Sequence, residues 1–318
     1  MDEPSHTLLI DRTHAGERVD RFLAHRLSVS RRRVWRLMRA GHVSLNGRPL
    51  AMREKGRALQ AGDFLQVTPP AAAERPLPNA ELSVPVAARG DGWLVVCKPV
   101  GMAVHPLAPD ETDTVLNAVA HWEPGIVGVG DGGLRSGVVH RLDVATSGAL
   151  VFALDDAIWH ELRDAFQASR VEKTYHALVG GRVEAGASMA RHLRIARHSP
   201  AQVQVIDPKQ TPRGDAWPCS LQYRPIERFQ NLTLLEVNLE TGFLHQIRAM
   251  LASVGHAALG DDRYHTPTDS PQQQPPMGGT IGRLMLHAYR VRYNEVEATC
   301  PWPDGFSSII ERLRAQRA

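Results

Sequence analysis

The sequence predicts an α+β protein in two parts: a small N-terminal α/β domain, then a larger sheet-rich domain with mixed or antiparallel strand order. Three observations predict it. Helical patterns and paired turn signals crowd into residues 1–68, a proline-rich stretch follows, and from about Leu82 short apolar runs recur at hairpin-like spacing with few helices between them. With 318 residues, 43% of them hydrophobic, the chain is long enough to bury two cores.

In the front part, "RVDRFLAHRLSVS" reads as a first helix with Val19, Phe22, Leu23 and Leu27 inward, and Ser28 or Ser30 is placed to cap a second. In that second helix Arg31, Arg32, Arg33, Arg36 and Arg39 alternate with Val34, Leu37 and Met38, so one face is apolar and the other arginine-rich. Gly41 ends it. "HVSLNGRPL" sets an Asn46-Gly47 turn between two short strands, and "LQAGDFLQV" closes with a Gly62-Asp63 turn. Residues 1–68 carry 13 Lys or Arg against 7 Asp or Glu, whereas residues 69–318 carry 24 against 27. A charged helix face is ordinarily a solvated one with mixed signs. Here Arg26 to Arg57 holds ten basic residues and one acid, Glu54, which points to an anionic partner.

"TPPAAAERPLPNAELSVP", residues 68–85 with five prolines, reads as a linker, so the division is 1–68, a linker over 69–81, and 82–318. Candidate strands beyond it are "GWLVVCKP", "GVVHRL", "GALVFAL", "EKTYHALVGG", "AQVQVID", "CSLQYRPIE", "NLTLLEVNLE" and "MLHAYRVRY". "GVGDGG", residues 128–133, formally matches a dinucleotide-binding glycine motif. The strand-then-helix context that binds a pyrophosphate is missing, so it reads as a flexible surface loop. Residues 265–282 form a polar, Pro- and Gly-rich loop.

No apolar run approaches the roughly 20 residues of a membrane span, and the acidic N-terminus lacks a secretory pattern. Cys97, Cys219 and Cys300, odd in number and far apart, read as reduced thiols of a cytoplasmic protein. His140, His245 and His287 fall into no ligand spacing with Cys or carboxylates, so no metal is expected.

The chemistry is sought in "GVVHRLDVATSGALVF", where His140, Arg141 and Asp143 lie between two apolar runs. An Asp beside an Arg is ordinarily a structural ion pair; its place at a strand end, before the small residues Thr146, Ser147 and Gly148, favours a carboxylate held in a loop. "HRLDVATSG" resembles the signature H-R-L-D-x-x-T-S-G of the RluA family of pseudouridine synthases. "KPVGMAVHP", "EKTYHALV", "TGFLHQIRAMLASVGHAALGDDRY" and the "LHA" at Leu286 resemble its other segments in order, so the likeness covers residues 82–318. Phe243, Met250 and Ala257 depart from the family's usual Arg, His and Pro, which touches RNA contacts more than chemistry. Residues Gly16 to Val67 resemble an S-four-like RNA-binding domain, a common partner of this catalytic domain.

The resemblance implies an enzyme that isomerises uridine in structured RNA to pseudouridine by base flipping, with Asp143 as its catalytic carboxylate. Arg248, on a helix with Ile247, Leu251 and Val254 toward the core, becomes the partner that keeps Asp143 ionised and aimed, rather than a surface phosphate contact. Tyr175 becomes a ring that stacks on the flipped base, beside Lys173 on the same strand face. RNA contacts are assigned to His140 (or a supporting role in the loop), Arg141, Lys173, His245 and Gln246, and in front to Arg31, Arg32, Arg33, Arg36 and Arg39. The isomerisation needs neither redox chemistry nor an energy source, so no cofactor is expected. The expected protein is a cytoplasmic monomer acting on large-subunit (23S) ribosomal RNA, with transfer RNA as the alternative substrate. A glycosidase-like enzyme would use a carboxylate pair, whereas the signature holds one Asp, with Asp261 and Asp262 in another loop; a noncatalytic RNA-binding or ribosome-assembly protein would need only the front domain.

Overall fold

The computed structural model describes residues 6–27, 31–68, 75–207, 209–210, 214–264 and 281–316. The expected caps Ser28 and Ser30, the middle of the proline-rich stretch and most of the 265–282 loop lie outside the described residues, as do the side chains of Arg32, Arg33 and Arg36.

Residues 6–68 build a four-stranded antiparallel sheet in the order β1-β4-β2-β3, from β1 (His6–Leu9), β2 (Val43–Leu45), β3 (Arg48–Pro49) and β4 (Phe64–Val67). It shares one core with helices α1 (Val19–Arg26) and α2 (Arg31–Arg39), in which Val19, Phe22, Leu23, Val34 and Met38 meet Val43, Leu45 and Leu65. The two expected turns are a single device. Asn46, at φ 52°, donates from Nδ2 to Asp63 Oδ1 at 2.8 Å and accepts from Phe64 N–H at 2.9 Å, while Asp63 Oδ2 accepts from Gln60 N–H. Asp20 is fully buried and accepts from Arg18 Nε and Nη2, each at 3.0 Å, and from Trp35 Nε1 at 3.1 Å.

The remaining strands form one ten-stranded sheet, β10-β9-β11-β12-β8-β13-β7-β6-β5, with β14 pairing β13. They are β5 (Val86–Gly90), β6 (Trp93–Lys98), β7 (Ser147–Ala153), β8 (Glu172–Gly180), β9 (Ala187–His198), β10 (Ala201–Val205), β11 (Trp217–Arg228), β12 (Leu232–Leu239), β13 (Leu286–Tyr293) and β14 (Val296–Thr299). All described pairings are antiparallel except β13 with β7, which is parallel and covers only Ser147 and Gly148. The sheet-rich α+β class is the one expected. The central strands read as unbroken apolar runs because both faces are covered. Leu94, Val96, Leu150, Phe152, Tyr175 and Ala177 pack with α3 (Val115–Trp122) and α5 (Gln246–Ser253); Val95, Val151 and Ala153 pack with α4 (Asp156–Gln167). Leu178, Leu232 and Leu234 pack with Phe306, Ile310 and Leu313 of α6 (Asp304–Ala315).

Three expectations are corrected. "GVVHRL" is not a strand: after Gly137, at φ 68°, only Val138 bridges to Phe152. "GVGDGG" is a packed loop and not a flexible one, since Gly128 and Gly130 donate to Ser136 Oγ and Asp156 Oδ1, and a Cβ at Gly130 would lie 2.3 Å from Trp159. Cys97 and Cys300 are joined by a disulfide, because the stacking of β14 beside β5 and β6 brings Cα atoms 203 residues apart in sequence to 5.6 Å; Cys219 alone is free and buried. No helix among the described residues is long and apolar enough to cross a membrane.

Two buried histidines sit behind this sheet. His176 stacks on Tyr289 and accepts from Trp302 Nε1 at 2.8 Å; His287 accepts from Ser147 Oγ at 2.8 Å on Nδ1 and donates from Nε2 to Cys300 O at 3.0 Å. Burial pushes each imidazole down to about 4. The unfolded chain therefore takes up these protons first, at its ordinary value of 6.5, and stability falls as pH drops from about 6.5 toward 4. Urea unfolding at pH 7, 6 and 5 should show a loss of about 1–2 kcal/mol per histidine between pH 7 and 5, with the loss shallower in His287→Asn.

Candidate active site

Asp143 occupies a turn that leads into β7. Thr146 N–H closes the turn on Asp143 O at 3.0 Å, and the carbonyl of Val144 accepts from Gly101 N–H at 2.8 Å and from Lys98 Nζ at 3.1 Å. Lys98, at the end of β6 and 1% exposed, gives its other two donors to the carbonyls of Pro99 and Met102 at 2.7 Å. Burial pushes the amine down to about 7, Asp143 pulls it up, and three carbonyls match the three donors of an ammonium. The "KPVGM" and "DVATSG" segments are thereby knotted into one structure. Behind them Ser147 accepts from Arg283 Nη2 at 2.7 Å.

Arg248 reaches the same point from α5, which starts at His245 in the left-handed conformation, φ 50°. Nη1 donates to Asp143 Oδ2 at 3.2 Å; Nε and Nη2 donate to Asp261 Oδ2 and Oδ1 at 2.7 and 2.8 Å, and Nη2 also lies 3.3 Å from Asp262. The guanidinium is 3% exposed, and these carboxylates raise its proton affinity further. Its burial corrects the expected helix face: Arg248 is inside and Val254, at 37%, is the exposed residue. His245 Nε2 lies 3.9 Å from Asp143 Oδ2. Val203 N–H donates to the Tyr264 hydroxyl, leaving that hydroxyl to donate to His245 Nδ1, both at 2.9 Å; the network thus assigns the His245 proton to Nε2, facing Asp143. Burial lowers the proton affinity of His245 against the pull of Asp143.

Tyr175, 7% exposed on β8, lies close enough to Asp143 that burial and this charge together raise its phenol. Arg141 is exposed beside Asp143. Other expected RNA contacts are turned inward. Gln246 accepts from Phe243 N–H and Thr241 Oγ1 and donates to Ser220 O, which ties its buried amide to the turn before α5. His140 accepts from Val151 N–H at 3.0 Å and stacks on Phe166, and Lys173 donates to Glu240 O at 3.2 Å. Met250, one of the departures from the expected pattern, is fully buried, so its position serves packing. On α2 of the front unit Arg31 lies 3.5 Å from Asp20, an acidic partner that the local charge count overlooks, and Arg39 is exposed.

Lys98, Asp261 and Tyr264 belong to the site; neither Lys98 nor Tyr264 is among the residues expected from sequence, and Asp261 is there only as a companion carboxylate of the glycosidase-like alternative. Their signal was available: a lysine ending an apolar strand, and a "GDDRY" loop whose acids have no local basic partner other than Arg263. Among the described residues no group of three or more His, Cys, Asp or Glu is placed to hold a metal ion.

The profile described as RNA pseudouridylate synthase matches residues 92–253. The chain is 30% identical over 310 residues to ribosomal large subunit pseudouridine synthase D of Vibrio parahaemolyticus, covering 94% of this chain and 91% of that protein. It is also 30% identical over 300 residues to a protein of Synechocystis sp. named as an uncharacterized RNA pseudouridine synthase, covering 94% and 90%. In fold it is similar to human RNA pseudouridylate synthase domain containing 4, with a TM-score of 0.57 at 20% identity over 72% of this chain and 93% of that one.

Gly148 sits at φ 117°, and a Cβ there would lie 2.1 Å from Ala288 O. Gly148→Ala should therefore force β7 off β13 beside the Asp143 turn and cost about 3 kcal/mol or more, read from urea unfolding.

Proposed function

The chain belongs to the RNA pseudouridylate synthase family, and we propose that it isomerises uridines of large-subunit ribosomal RNA with Asp143 as the group that opens the reaction. The observation that carries this reading is the Asp143–Arg248 pair, 3.2 Å long, formed by a half-buried carboxylate and a buried guanidinium. The reaction breaks the bond between the uracil nitrogen and the ribose, turns the base, and joins carbon 5 to the same sugar carbon; the hydrogen on carbon 5 leaves as a proton and the freed nitrogen takes one up. A fixed carboxylate supplies what the first step needs, by adding to carbon 6 of the ring, by adding to the sugar carbon, or by assisting departure of the base. Arg248 holds that carboxylate in place with a charge-assisted hydrogen bond. Tyr175 offers a ring on which the extruded base stacks, and Arg141 a charge for a neighbouring phosphate.

The choice of ribosomal RNA is supported by relatives in Vibrio parahaemolyticus and Haemophilus ducreyi that are named ribosomal large subunit pseudouridine synthase D. Mapping pseudouridines by chemical labelling in a deletion strain tests it: sites lost from large-subunit RNA support it, and sites lost only from transfer RNA refute it. The front unit, with its own sheet and core and its excess of positive charge, is assigned the role of an S-four-like grip on a neighbouring RNA helix. Removing residues 1–68 should weaken binding to folded RNA and make the slope of log K against log salt shallower by about 1 or more. Equal affinity and slope in both proteins would exclude the grip.

Asp143→Asn removes charge and nucleophilicity with almost no change of shape. Tritium release from RNA labelled at carbon 5 of uridine should fall by at least about a thousandfold in a single turnover, with RNA binding and melting temperature unchanged. Release at the wild-type rate by the folded variant would remove Asp143 from the chemistry.

A further inference from the structure

Arg248 faces more acid than one catalytic carboxylate requires. A buried guanidinium beside a lone Asp pairs with it edge to edge and covers both oxygens. Here that edge, Nε with Nη2, belongs to Asp261 at 2.7 and 2.8 Å, and Asp143 receives the single remaining donor at 3.2 Å on Oδ2. Among the described residues no hydrogen bond reaches Asp143 Oδ1.

Asp261 controls a second arm as well. Its Oδ1 accepts from Arg263 N–H at 2.9 Å and Tyr264 N–H at 3.1 Å, which fixes the turn that carries Tyr264. The Tyr264 hydroxyl fixes the His245 proton on the nitrogen that looks at Asp143 Oδ2 from 3.9 Å. Both groups that bear on Asp143 thus approach the same oxygen, and both are set by one carboxylate whose side chain is 1% exposed. A plain counter-ion for Arg248 would need neither the edge-on geometry nor the link to Tyr264.

We propose that Asp261 is a positioning residue that restricts Arg248 to a one-point contact and thereby leaves Oδ1 of Asp143 as the attacking oxygen. The inference rests on the reading of Asp143 and Arg248 as the catalytic pair. In Asp261→Asn the amide presents a donor to the guanidinium, which then closes on Asp143 and occupies Oδ1.

The test is a double-mutant cycle on single-turnover tritium release, using the full chain and folded substrate RNA. Asp261→Asn should lower the rate constant about 30- to 100-fold while the Kd for RNA changes less than about twofold, as expected for a group buried behind the reacting one. Arg248→Met with Asp261→Asn should be slower than Arg248→Met alone by no more than about threefold, the share left to the Tyr264–His245 arm, because Asp261 acts chiefly through the guanidinium. A double variant slower by the full Asp261→Asn factor would show an independent structural role and overturn the proposal. Should Asp261→Asn fail to fold, Asp261→Glu keeps the charge and displaces the fork by one methylene. At unchanged melting temperature it should lose at least about tenfold in rate, and wild-type turnover by it would equally overturn the proposal. If Asp143→Asn itself stays active, the failure lies with the catalytic pair and not with Asp261.

Discussion

Contact without a side chain between β7 and β13 holds the site together. At Gly148 the backbone of β7 approaches the Ala288 carbonyl so closely that a Cβ has no room, and this closeness permits the only parallel pairing described in the sheet. Ser147 is thereby set against His287 and Arg283, and the chain entering β7 must turn immediately before it. Asp143 occupies that turn. From the other flank Lys98 reaches under the same turn to the Val144 carbonyl, so the carboxylate is borne by backbone fixed on two sides.

The electrostatics follow from where these supports lie. Arg248, Lys98, His245 and Tyr175 all sense the charge of Asp143, while Asp261 and Asp262 share the guanidinium. One acid inside this group is half-buried and open to a ligand, and its neighbour Asp261 is saturated with hydrogen bonds. The separation of roles between like residues is made by burial and by partner geometry, not by residue type.

Much of this was legible. The carboxylate, its arginine and the tyrosine sit in motifs whose spacing survives in one dimension, and the central strands are apolar runs that a covered sheet demands. The "NG" and "GD" turns were legible as turns, but their mutual bonding through Asn46 and Asp63 was not, since it joins residues 17 apart. β9 escaped notice because, with only Met189 and Leu193 buried, it shows little alternation. α4 is not among the elements expected from sequence, although Asp155 caps it and Trp159, Leu162 and Ala165 mark its inner face, because its apolar residues are spaced out and form no continuous run. The Cys97–Cys300 bond and the Asp261–Arg248 pairing depend on which strands become neighbours, and no local pattern carries that information.

Beyond Gly148, where β13 leaves it, β7 is bordered on that side by a segment that never becomes a strand. The donor of Ala153 goes to the Gly137 carbonyl, and the donor of Val151 goes to the ring nitrogen of His140, a side chain standing where a ladder carbonyl would be. Burial holds that imidazole neutral, with its proton affinity pushed down to about 3, so it remains an acceptor throughout the physiological range. The arrangement seals an apolar edge that would otherwise recruit a foreign strand, and it does so without committing the neighbouring backbone to pleated geometry. The chain is left free to curl into the Asp143 turn three residues later, so a satisfied strand edge and the freedom to shape that turn come from the same ring.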